Sequence, residues 1–353
     1  MELTIVESDL RTTTLIEQYE SLVWTERYNS FGDFEVTTKD VNLLSLSLRT
    51  MKFVFSSESK HIMMIETIDQ TEQSDNGEPL VKITGRSVEA FLEKRTCTAF
   101  DQDSLIYGNM SLSQVAAYVV DRYCVDPATA GANNVIPSLR TTYTPGNAEP
   151  IAVKRDTIYN VVKAVADSAN MGFRIFLEEA DGVRWLEFST YVGTDRTALN
   201  EQYREYSEDQ ENFINSGYLA SSKNWYTVAR VHGARQSIDV SGLTPYSGWD
   251  RRVLAVNAKD IGKDRTDAFQ NDWPEMSQRG REALAEANHR FALAIDGEIP
   301  PGKFSDPNVF YGLGDKVWVK DIYGNKEKMQ ITEEVWSVDA GSIQRTPTFS
   351  VIE

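Results

Sequence analysis

The chain has 353 residues and a net charge of −17, which comes from 53 acidic and 36 basic side chains. This balance disfavours a nucleic-acid reader, because the net surface field repels phosphates. At ~100 to 150 residues per domain, the length predicts two or three domains. Cys97 and Cys124 lack the spacing of a metal site or disulfide framework and are expected to be buried thiols. No secretory signal follows Met1, and no run reaches the ~20 apolar residues of a membrane span.

Residues 3–85 are rich in β-branched and aromatic side chains, which predicts an antiparallel sheet or barrel. The strands predicted in this part of the chain are Thr12 to Tyr19, Ser21 to Tyr28, Asp33 to Thr38, Met51 to Ser56, Ile62 to Ile68 and Leu80 to Thr84.

The second of these strands is the most informative, because its residues have distinct expected directions. Strand alternation places Trp24 and Tyr28 on one face and Arg27 on the other. An ion pair of Arg27 is therefore expected to reach a neighbouring strand, where Asp33 and Glu35 are the candidates.

Helices are predicted in the middle of the chain. Ser87 is the expected N-cap of a short helix. Ser111 and Gln114 form a predicted capping box that opens a second helix, which ends before Pro127. The stretch from Pro127 to Pro150 is rich in proline, glycine and asparagine and predicts a long surface loop.

The best-defined helix follows this loop. Apolar residues from Ile158 to Ala169 repeat at helical spacing, with Asp156 or Thr157 as the cap and Gly172 just past the end. The two strands of a hairpin predicted after it are Phe173 to Glu179 and Val183 to Thr190.

The last third of the chain begins with an acidic stretch, Asp195 to Glu211, which predicts a solvated linker or excursion and a domain change near residue 195. A helix is expected from Pro274 to Ile295, because apolar residues line one side of it. The strands expected around this helix are 224–233, 252–257, 316–320, 328–338 and 346–352.

The sequence shows no recognisable catalytic or metal site. His61, His232 and His289 lie far apart without metal-ligand spacing, and the GxSxG pattern of a nucleophilic serine is absent. Gly312 and Gly314 precede a predicted strand rather than a helix, so they indicate a turn and not a phosphate cradle. We therefore predict no catalytic residue, no metal and no cofactor.

Carboxylates and aromatic residues leave a second interpretation open. Glu178, Glu187, Glu333 and Glu334 lie on predicted strands, where a pair of carboxylates can act in glycoside hydrolysis. The 7 tryptophans and 15 tyrosines can line a sugar-binding face or fill a core. We favour core and subunit contacts over a sugar-binding face as the role of these aromatic residues.

Several motifs, in a fixed order, resemble a family of siphophage tail proteins. A W-x-x-R-Y segment leading to G-x-F-E spans Leu22 to Val36. The further motifs are Ile65 to Ile68, Ile83 to Ser87, Gly172 to Arg174, Ser222 to Ala229 and Gly312 to Val317. The chain thus resembles the baseplate hub or tail-tip hub of long-tailed phages, which is related to the central hub of contractile tails and to the spike bases of type VI secretion.

The resemblance implies a mainly β fold with α+β parts, built from two tail-tube-like antiparallel β-barrel domains and a peripheral helix-containing domain. Residues 1–95 would form the first barrel, 96–195 the peripheral domain, and 196–353 the second barrel with an inserted helix. A homotrimer would then present six barrels in a pseudo-hexameric ring that joins the tail tube to distal tip proteins and forms the channel for DNA ejection.

The candidates for the interface or the barrel framework are Trp24, Arg27, Tyr28, Gly32, Phe34, Gly85, Arg86 and Trp225. Gly32 is expected to set the hairpin turn. The implied partners are further copies of the chain, the tail tube or distal tail protein ring, tip or receptor-binding proteins and, as a further candidate, the tape measure protein. DNA would pass transiently without specific binding, because an acidic wall does not hold phosphates.

The resemblance also implies a place in the virion, at the tail tip, after synthesis in the host bacterial cytoplasm. Two alternatives remain beside the hub. One is a carbohydrate-binding or glycan-hydrolysing β-rich tail protein that acts on the host surface. The other is binding of the host surface by the C-terminal barrel alone.

Overall fold

A computed structural model describes residues 1–16, 18–73, 77, 79–97, 104–107, 109–126, 131–143, 145–148, 151–154, 156–220, 222–223, 225–241, 246–262, 272–288, 293–300, 311–320, 324, 326–339 and 342–351. The chain divides into two compact units. Unit 1 comprises Met1–Ser216 and Asp296–Glu353, and unit 2 comprises Gly217–Ile295. The fold is mainly β with a few helices, as the sequence predicts. The three-domain division stays a prediction.

The strands up to the end of the middle region are β1 (Leu3–Glu7), β2 (Thr12–Ile16), β3 (Ser21–Arg27), β4 (Asp33–Thr38), β5 (Lys52–Ser56), β6 (Ser59–Gln73), β7 (Pro79–Ser87), β8 (Ser104–Tyr107), β9 (Leu139–Thr141), β10 (Ile151–Lys154), β11 (Gly172–Ala180) and β12 (Val183–Tyr191). The later strands are β13 (Glu205–Tyr206), β14 (Ile214–Ala220), β15 (Val228–Gly233), β16 (Ser237–Ser241), β17 (Val253–Ala258), β18 (Leu293–Glu298), β19 (Lys316–Lys320), β20 (Lys326–Asp339) and β21 (Ser342–Val351). The α-helices are α1 (Leu112–Val120), α2 (Ile158–Ala169) and α3 (Trp273–Asn288). The shorter helical turns are Val41–Ser45, Val88–Lys94, Asp121–Val125, Glu208–Gln210 and Gly248–Asp250.

One antiparallel sheet dominates unit 1. Nine of its sixteen described strands follow the order β2-β1-β5-β6-β7-β4-β3-β20-β21, and the sheet continues from β21 through β18 to β14 and from β6 through β11 and β12 to β9. Because alternate side chains of each strand point to one face, the sheet surrounds a common apolar core. The larger members of this core are Leu3, Ile5, Leu22, Trp24, Phe34, Met63, Ile83 and Trp336. No pairing among the described residues joins β2 back to the other end of the sheet, so the predicted barrel closure is not confirmed.

A second core of unit 1 lies beneath its helices. α1, α2 and the turn Val88–Lys94 pack against the β11–β12 hairpin, which meets β6 at the pair Phe176 and His61. The cap of α2 is Thr157, whose hydroxyl accepts a hydrogen bond from Asn160 N at 3.2 Å.

Two details of the predicted helices differ from the structure. Asn170, in the left-handed region, ends α2, and Gly172 already belongs to β11. Ser87 does not cap the turn that follows it. Its hydroxyl instead accepts a hydrogen bond from Gly32 N at 2.8 Å, because Ser87 lies opposite that residue.

The acidic stretch after residue 195 is not a solvated linker. Arg196 forms a 2.5 Å ion pair with the buried carboxylate of Asp315, and β13 pairs in parallel with β19. Tyr206 and Phe213 are fully buried, and both rings pack against Phe349. The linker alternative is therefore wrong, because the Arg196 ion pair, the β13 pairing and the buried Tyr206 ring attach this stretch to unit 1.

Unit 2 contains a three-stranded sheet in the order β16-β15-β17, with α3 packed on one face. Gly280 allows the close approach, since a Cβ there would lie 2.7 Å from Val240 and 2.9 Å from Val231. The predicted end of this helix at Ile295 is wrong, because α3 ends at Asn288 and residues 293–298 form β18. Of the features predicted above, Pro127, Pro150, Asn224 and His289 lie outside the described residues.

Candidate functional site

The W-x-x-R-Y segment begins on β3 and ends one residue beyond it, and both of its aromatic residues are buried. Trp24 is fully buried, and its ring centroid lies 5.9 Å from that of Phe34 on β4. β3 lies between β4 and β20, and Trp336 is the residue of β20 that is directly opposite Trp24. Trp24 and Phe34 are thus core residues of the sheet rather than surface anchors.

Arg27 points to the other face of β3, as alternation predicts, and links three parts of the sheet. Its guanidinium lies 2.6 Å from Asp33 and 2.5 Å from Glu333, and it donates to the Phe31 carbonyl at 3.0 Å. Of the two expected partners, only Asp33 is used, because Glu35 pairs with Lys82.

Tyr28 occupies a junction of three motifs that are far apart in the sequence. A Cβ at Gly172 would lie 2.5 Å from the Tyr28 carbonyl oxygen, and one at Gly314 would lie 2.2 Å from its ring. The Tyr28 hydroxyl donates to the Asn170 carbonyl at 3.0 Å, and the ring meets Tyr191 edge-on at 5.3 Å. Burial raises the pKa of this phenol. We call this set of residues the Tyr28 junction.

Positions 32 and 85 both require glycine, because the backbone of a neighbouring strand passes close to each of them. A Cβ at Gly32 would lie 2.0 Å from the Thr25 carbonyl oxygen, and one at Gly85 would lie 1.7 Å from that of Met64. Gly32 lies in the connection between β3 and β4, where it is expected to set the turn, and this close approach is a further reason for glycine at that position.

Arg86 anchors the end of β7. It makes a bidentate pair with Glu66 at 2.8 and 2.9 Å, bonds Glu93 at 2.8 Å, and lies 4.9 Å from the centroid of the Phe31 ring. The Glu66 hydrogen bonds raise the pKa of Arg86 above its ordinary value. Trp225, the remaining candidate, lies half-buried in unit 2, where its backbone N–H donates to the Ser222 carbonyl.

Sequence reasoning missed the role of Asp315. This buried carboxylate accepts hydrogen bonds from Arg196 Nε, from Thr194 N at 2.7 Å and from Gly312 N at 2.9 Å. It thereby ties the segment after β12 to the turn before β19. Its position directly after Gly312-Leu313-Gly314 was the available signal, because an acidic residue can accept from the backbone amides of such a turn.

The carboxylates proposed for glycoside hydrolysis all have protein partners. Glu178 lies 3.0 Å from Lys60, Glu187 accepts from Trp185 Nε1 at 3.1 Å, and Glu333 binds Arg27. Glu334 is buried and accepts from the Tyr311 hydroxyl. Across the described part of the chain, no group of three or more His, Cys, Asp or Glu side chains is placed to hold a metal ion.

A groove of about 980 Å³ follows the open side of the unit 1 sheet, beside β2. Tyr19 crosses part of it, because its hydroxyl donates to the Met1 carbonyl at 2.8 Å. Leu15 and Ile343 line the groove and remain 50% and 38% exposed. No helix in the described ranges is long and apolar enough to cross a membrane.

Comparison with known proteins identifies similar folds in phage tails. The family model for Siphovirus ReqiPepy6 Gp37-like protein matches residues 2–349. A tail protein from Neisseria meningitidis MC58 superposes with a TM-score of 0.61 at 12% identity, covering 99% of this chain and 95% of that chain. The 43 kDa tail protein of prophage MuSo2 from Shewanella oneidensis gives 0.59 at 11% identity, covering 99% and 96%.

A Francisella PdpA–VgrG complex also contains a similar fold, with a TM-score of 0.50 at 12% identity, covering 99% of this chain and 52% of that chain. A search of curated proteins finds no match. At these identities the structural matches establish a shared fold.

Proposed function

We propose that this chain, which belongs to the family of Siphovirus ReqiPepy6 Gp37-like proteins, is a structural subunit of a phage tail-tip or baseplate hub. The observation that carries the proposal is the extent of the fold match. It covers 99% of this chain and 95% of a bacterial tail protein, so the likeness is not confined to one common motif.

The proposed assembly is a homotrimer that forms a pseudo-hexameric ring at the tail tip. Residues 1–95 and 196–353 would supply the two barrels of each chain, and residues 96–195 the peripheral domain. The unit 1 sheet supports this, because it already surrounds its own core and leaves β2 unpaired on one side among the described residues. An open strand edge presents unpaired N–H and C=O groups with which another chain can pair.

The ring would join the tail tube to distal tip proteins and form the channel for DNA. Its proposed partners are the tail tube or distal tail ring, the tip or receptor-binding proteins and the tape measure protein. The net charge of −17 supports a conduit, since acidic walls repel phosphates and DNA would pass without binding.

A scaffold role without catalysis is part of the proposal. It is supported by the engagement of Glu178, Glu187, Glu333 and Glu334 in contacts within the protein. A general acid or base needs a carboxyl group within reach of the substrate, and these carboxyl groups instead bind side chains of the same chain.

Oligomeric state and location in the virion test the proposal. Mass photometry of the full chain over a dilution series should show a species of three times 39.8 kDa, and cryo-electron microscopy of virions should place three copies at the tail tip. A chain that stays monomeric and is absent from virions would contradict it.

One observation favours a second candidate, glycan binding. The β11–β12 register places Phe176, Glu178, Trp185 and Glu187 on one face of the hairpin, where Phe176 is largely buried and a pair of carboxylates adjoins the Trp185 ring. Arg140, 4.3 Å from the centroid of the Trp185 ring, partly occupies that face.

Glycan-array binding by the full chain distinguishes the two candidates. If the hairpin face binds sugar, Trp185→Ala and Glu178→Gln should each abolish the signal. Trp249→Ala is the matched control, because Trp249 is 97% exposed and lies in unit 2. Absence of any glycan signal from the wild-type chain would remove this candidate.

A further inference from the structure

Unit 1 contains two buried carboxylates that face each other across a pair of strands. Glu26 of β3 and Glu334 of β20 are directly opposite residues in the antiparallel register. Only 7% and 4% of their surfaces are exposed. Directly opposite side chains have Cβ atoms ~4.5 to 5.5 Å apart, and like charges in this arrangement repel. Two ionised carboxylates would therefore destabilise the β3–β20 pairing.

Glu26 is surrounded by hydrogen-bond donors. Its Oε1 accepts from Trp24 Nε1 at 3.0 Å and from the Ser59 hydroxyl. Its Oε2 lies 3.5 Å from Nε2 of His61, which is itself buried. The indole N–H and the hydroxyl thus bind one oxygen of this carboxyl group, and the imidazole lies beside the other.

Glu334 has different surroundings. Its Oε1 accepts from the Tyr311 hydroxyl, and no described Lys or Arg forms an ion pair with it. Arg345 on β21 acts on it electrostatically, but this guanidinium lies 4.3 Å from the centroid of the Trp336 ring and 3.9 Å from Glu58. Burial, followed by the charge of Glu26, raises the pKa of Glu334.

Other titratable groups face the two carboxylates from neighbouring elements. Glu89, in the turn after β7, is fully buried near His61 and accepts from Ile175 N. Further groups that act on this cluster include Tyr28, Tyr191 of β12, Arg174 of β11 and Tyr206 of β13. Glu89 is thus a second buried carboxyl whose pKa is raised by burial, and any test must separate it from Glu334.

We propose that the Glu26–Glu334 pair holds one proton, carried by Glu334, and forms a pH-sensitive latch between the N-terminal sheet and the C-terminal strands. Loss of this proton to solvent leaves two opposed carboxylates in the core of the strand pair. The β3–β20 contact then loosens before the rest of unit 1.

The Glu26–Glu334 pair lies on the strand pairing that connects the N-terminal and C-terminal parts of the sheet. Among the described strands, the β3–β20 pairing is the link through which β1 to β7 and β20 to β21 belong to one sheet. It joins residues 21–27 to residues 333–339. A change in its stability therefore alters how firmly the last part of the chain is held on the first.

The sign of the pH dependence follows from the raised pKa of Glu334. The folded chain binds this proton more tightly than the unfolded chain, whose carboxyl has the ordinary value of 4.5. The contribution of Glu334 to stability is therefore fully present below that value and is lost as the pH rises through its raised pKa. One proton changes the unfolding equilibrium constant by at most about tenfold per pH unit.

Chemical unfolding of the full chain between about pH 5 and pH 9 tests the proposal, in a range that lies above the ordinary carboxyl pKa. The readout is the ratio of unfolding constants for wild type and Glu334→Gln, because glutamine keeps an acceptor for Tyr311 without a charge. We expect this ratio to rise with pH, by up to about tenfold per unit. Glu333→Gln is the control, since that neighbour is partly exposed and paired with Arg27, and its ratio should not rise. A ratio that is constant with pH for Glu334→Gln would overturn the proposal.

Hydrogen exchange locates the effect and separates Glu334 from Glu89. After correction for intrinsic rates, amides of β3 and β20 in the wild type should lose protection at high pH more than those of β11 and β12. Glu334→Gln should remove this difference, whereas Glu89→Gln should leave it. An equal loss over all of unit 1 in every variant would refute a latch at this pair. The isolated chain suffices for both experiments, so their outcome does not depend on the proposed assembly.

Discussion

At the scale of single residues, glycines decide how closely the strands of unit 1 approach. Gly32 lies against the Thr25 carbonyl and Gly85 against the Met64 carbonyl, without room for a side chain. Gly172 and Gly314 leave the space that Tyr28 fills. These positions should be sensitive to substitution, because the contacting atoms belong to the backbone or to a buried ring and cannot move aside.

Gly32→Ala should strongly destabilise unit 1. The added Cβ would lie 2.0 Å from the Thr25 carbonyl oxygen, and overpacking of a tight site costs roughly 3 kcal/mol, sometimes more. Gly312→Ala is the control, because among the described residues a Cβ there would meet only Asp315 Oδ2, at 3.9 Å. Denaturant unfolding measures both, and equal midpoints for the two variants would contradict the close-approach explanation.

Tyr28→Phe tests the hydroxyl at the Tyr28 junction. The variant keeps the ring between Gly172 and Gly314 but loses the 3.0 Å hydrogen bond to the Asn170 carbonyl. We expect a loss of about 1 kcal/mol in the free energy of unfolding. Tyr28→Ala leaves a cavity as well and should cost roughly 3 to 5 kcal/mol, the range for a buried aromatic residue. Similar losses for the two variants would show that the ring contributes little.

At the scale of elements, two serines that precede helical segments behave differently. Ser111 forms the predicted capping box with Gln114, with both reciprocal hydrogen bonds present. Ser87 also directly precedes a helical turn, but its hydroxyl accepts a hydrogen bond from Gly32 N and not from the turn. The local sequence cannot separate these cases, because the partner of Ser87 is 55 residues away.

Ser111→Ala should remove the cap of α1 and cost about 1 kcal/mol. The effect should appear as faster amide exchange in the first turn of α1 and as a lower midpoint of unfolding. Ser168→Ala is the control, because that hydroxyl is exposed on α2 and bonds only the preceding turn at Ala164. Unchanged exchange at α1 in Ser111→Ala would argue against the capping box.

At the scale of the whole molecule, the chain forms two units with separate cores. Unit 1 combines the first and last parts of the chain, since β20 pairs with β3. Unit 2 has its own sheet and the helix α3, which lies close to β15 and β16 at Gly280. Separate cores favour separate opening reactions.

Gly280→Val should therefore destabilise unit 2 selectively. Its side chain would collide with Val231 and Val240, so we expect a loss of at least about 2 kcal/mol in unit 2 and little change in unit 1. Hydrogen exchange read separately for β15–β16 and for β3–β4 measures this. A matching loss of protection in β3–β4 would mean that the units open together.

Much of this architecture could be predicted from local pattern. Strand alternation determined which face Trp24, Tyr28 and Arg27 take, and helical spacing located α2, because both periods depend only on neighbouring residues. The order of motifs indicated a tail protein family, which the match over residues 2–349 confirms.

Only the tertiary structure decided the contacts between distant segments. The opposition of Glu26 and Glu334 and the meeting of Tyr28 with Gly172 and Gly314 depend on strand register across hundreds of residues. A shift by one residue would turn every side chain of β20 to the other face. The sequence by itself therefore determined the elements and the family, while register, a property of the folded sheet, decided the polar cluster and the Tyr28 junction.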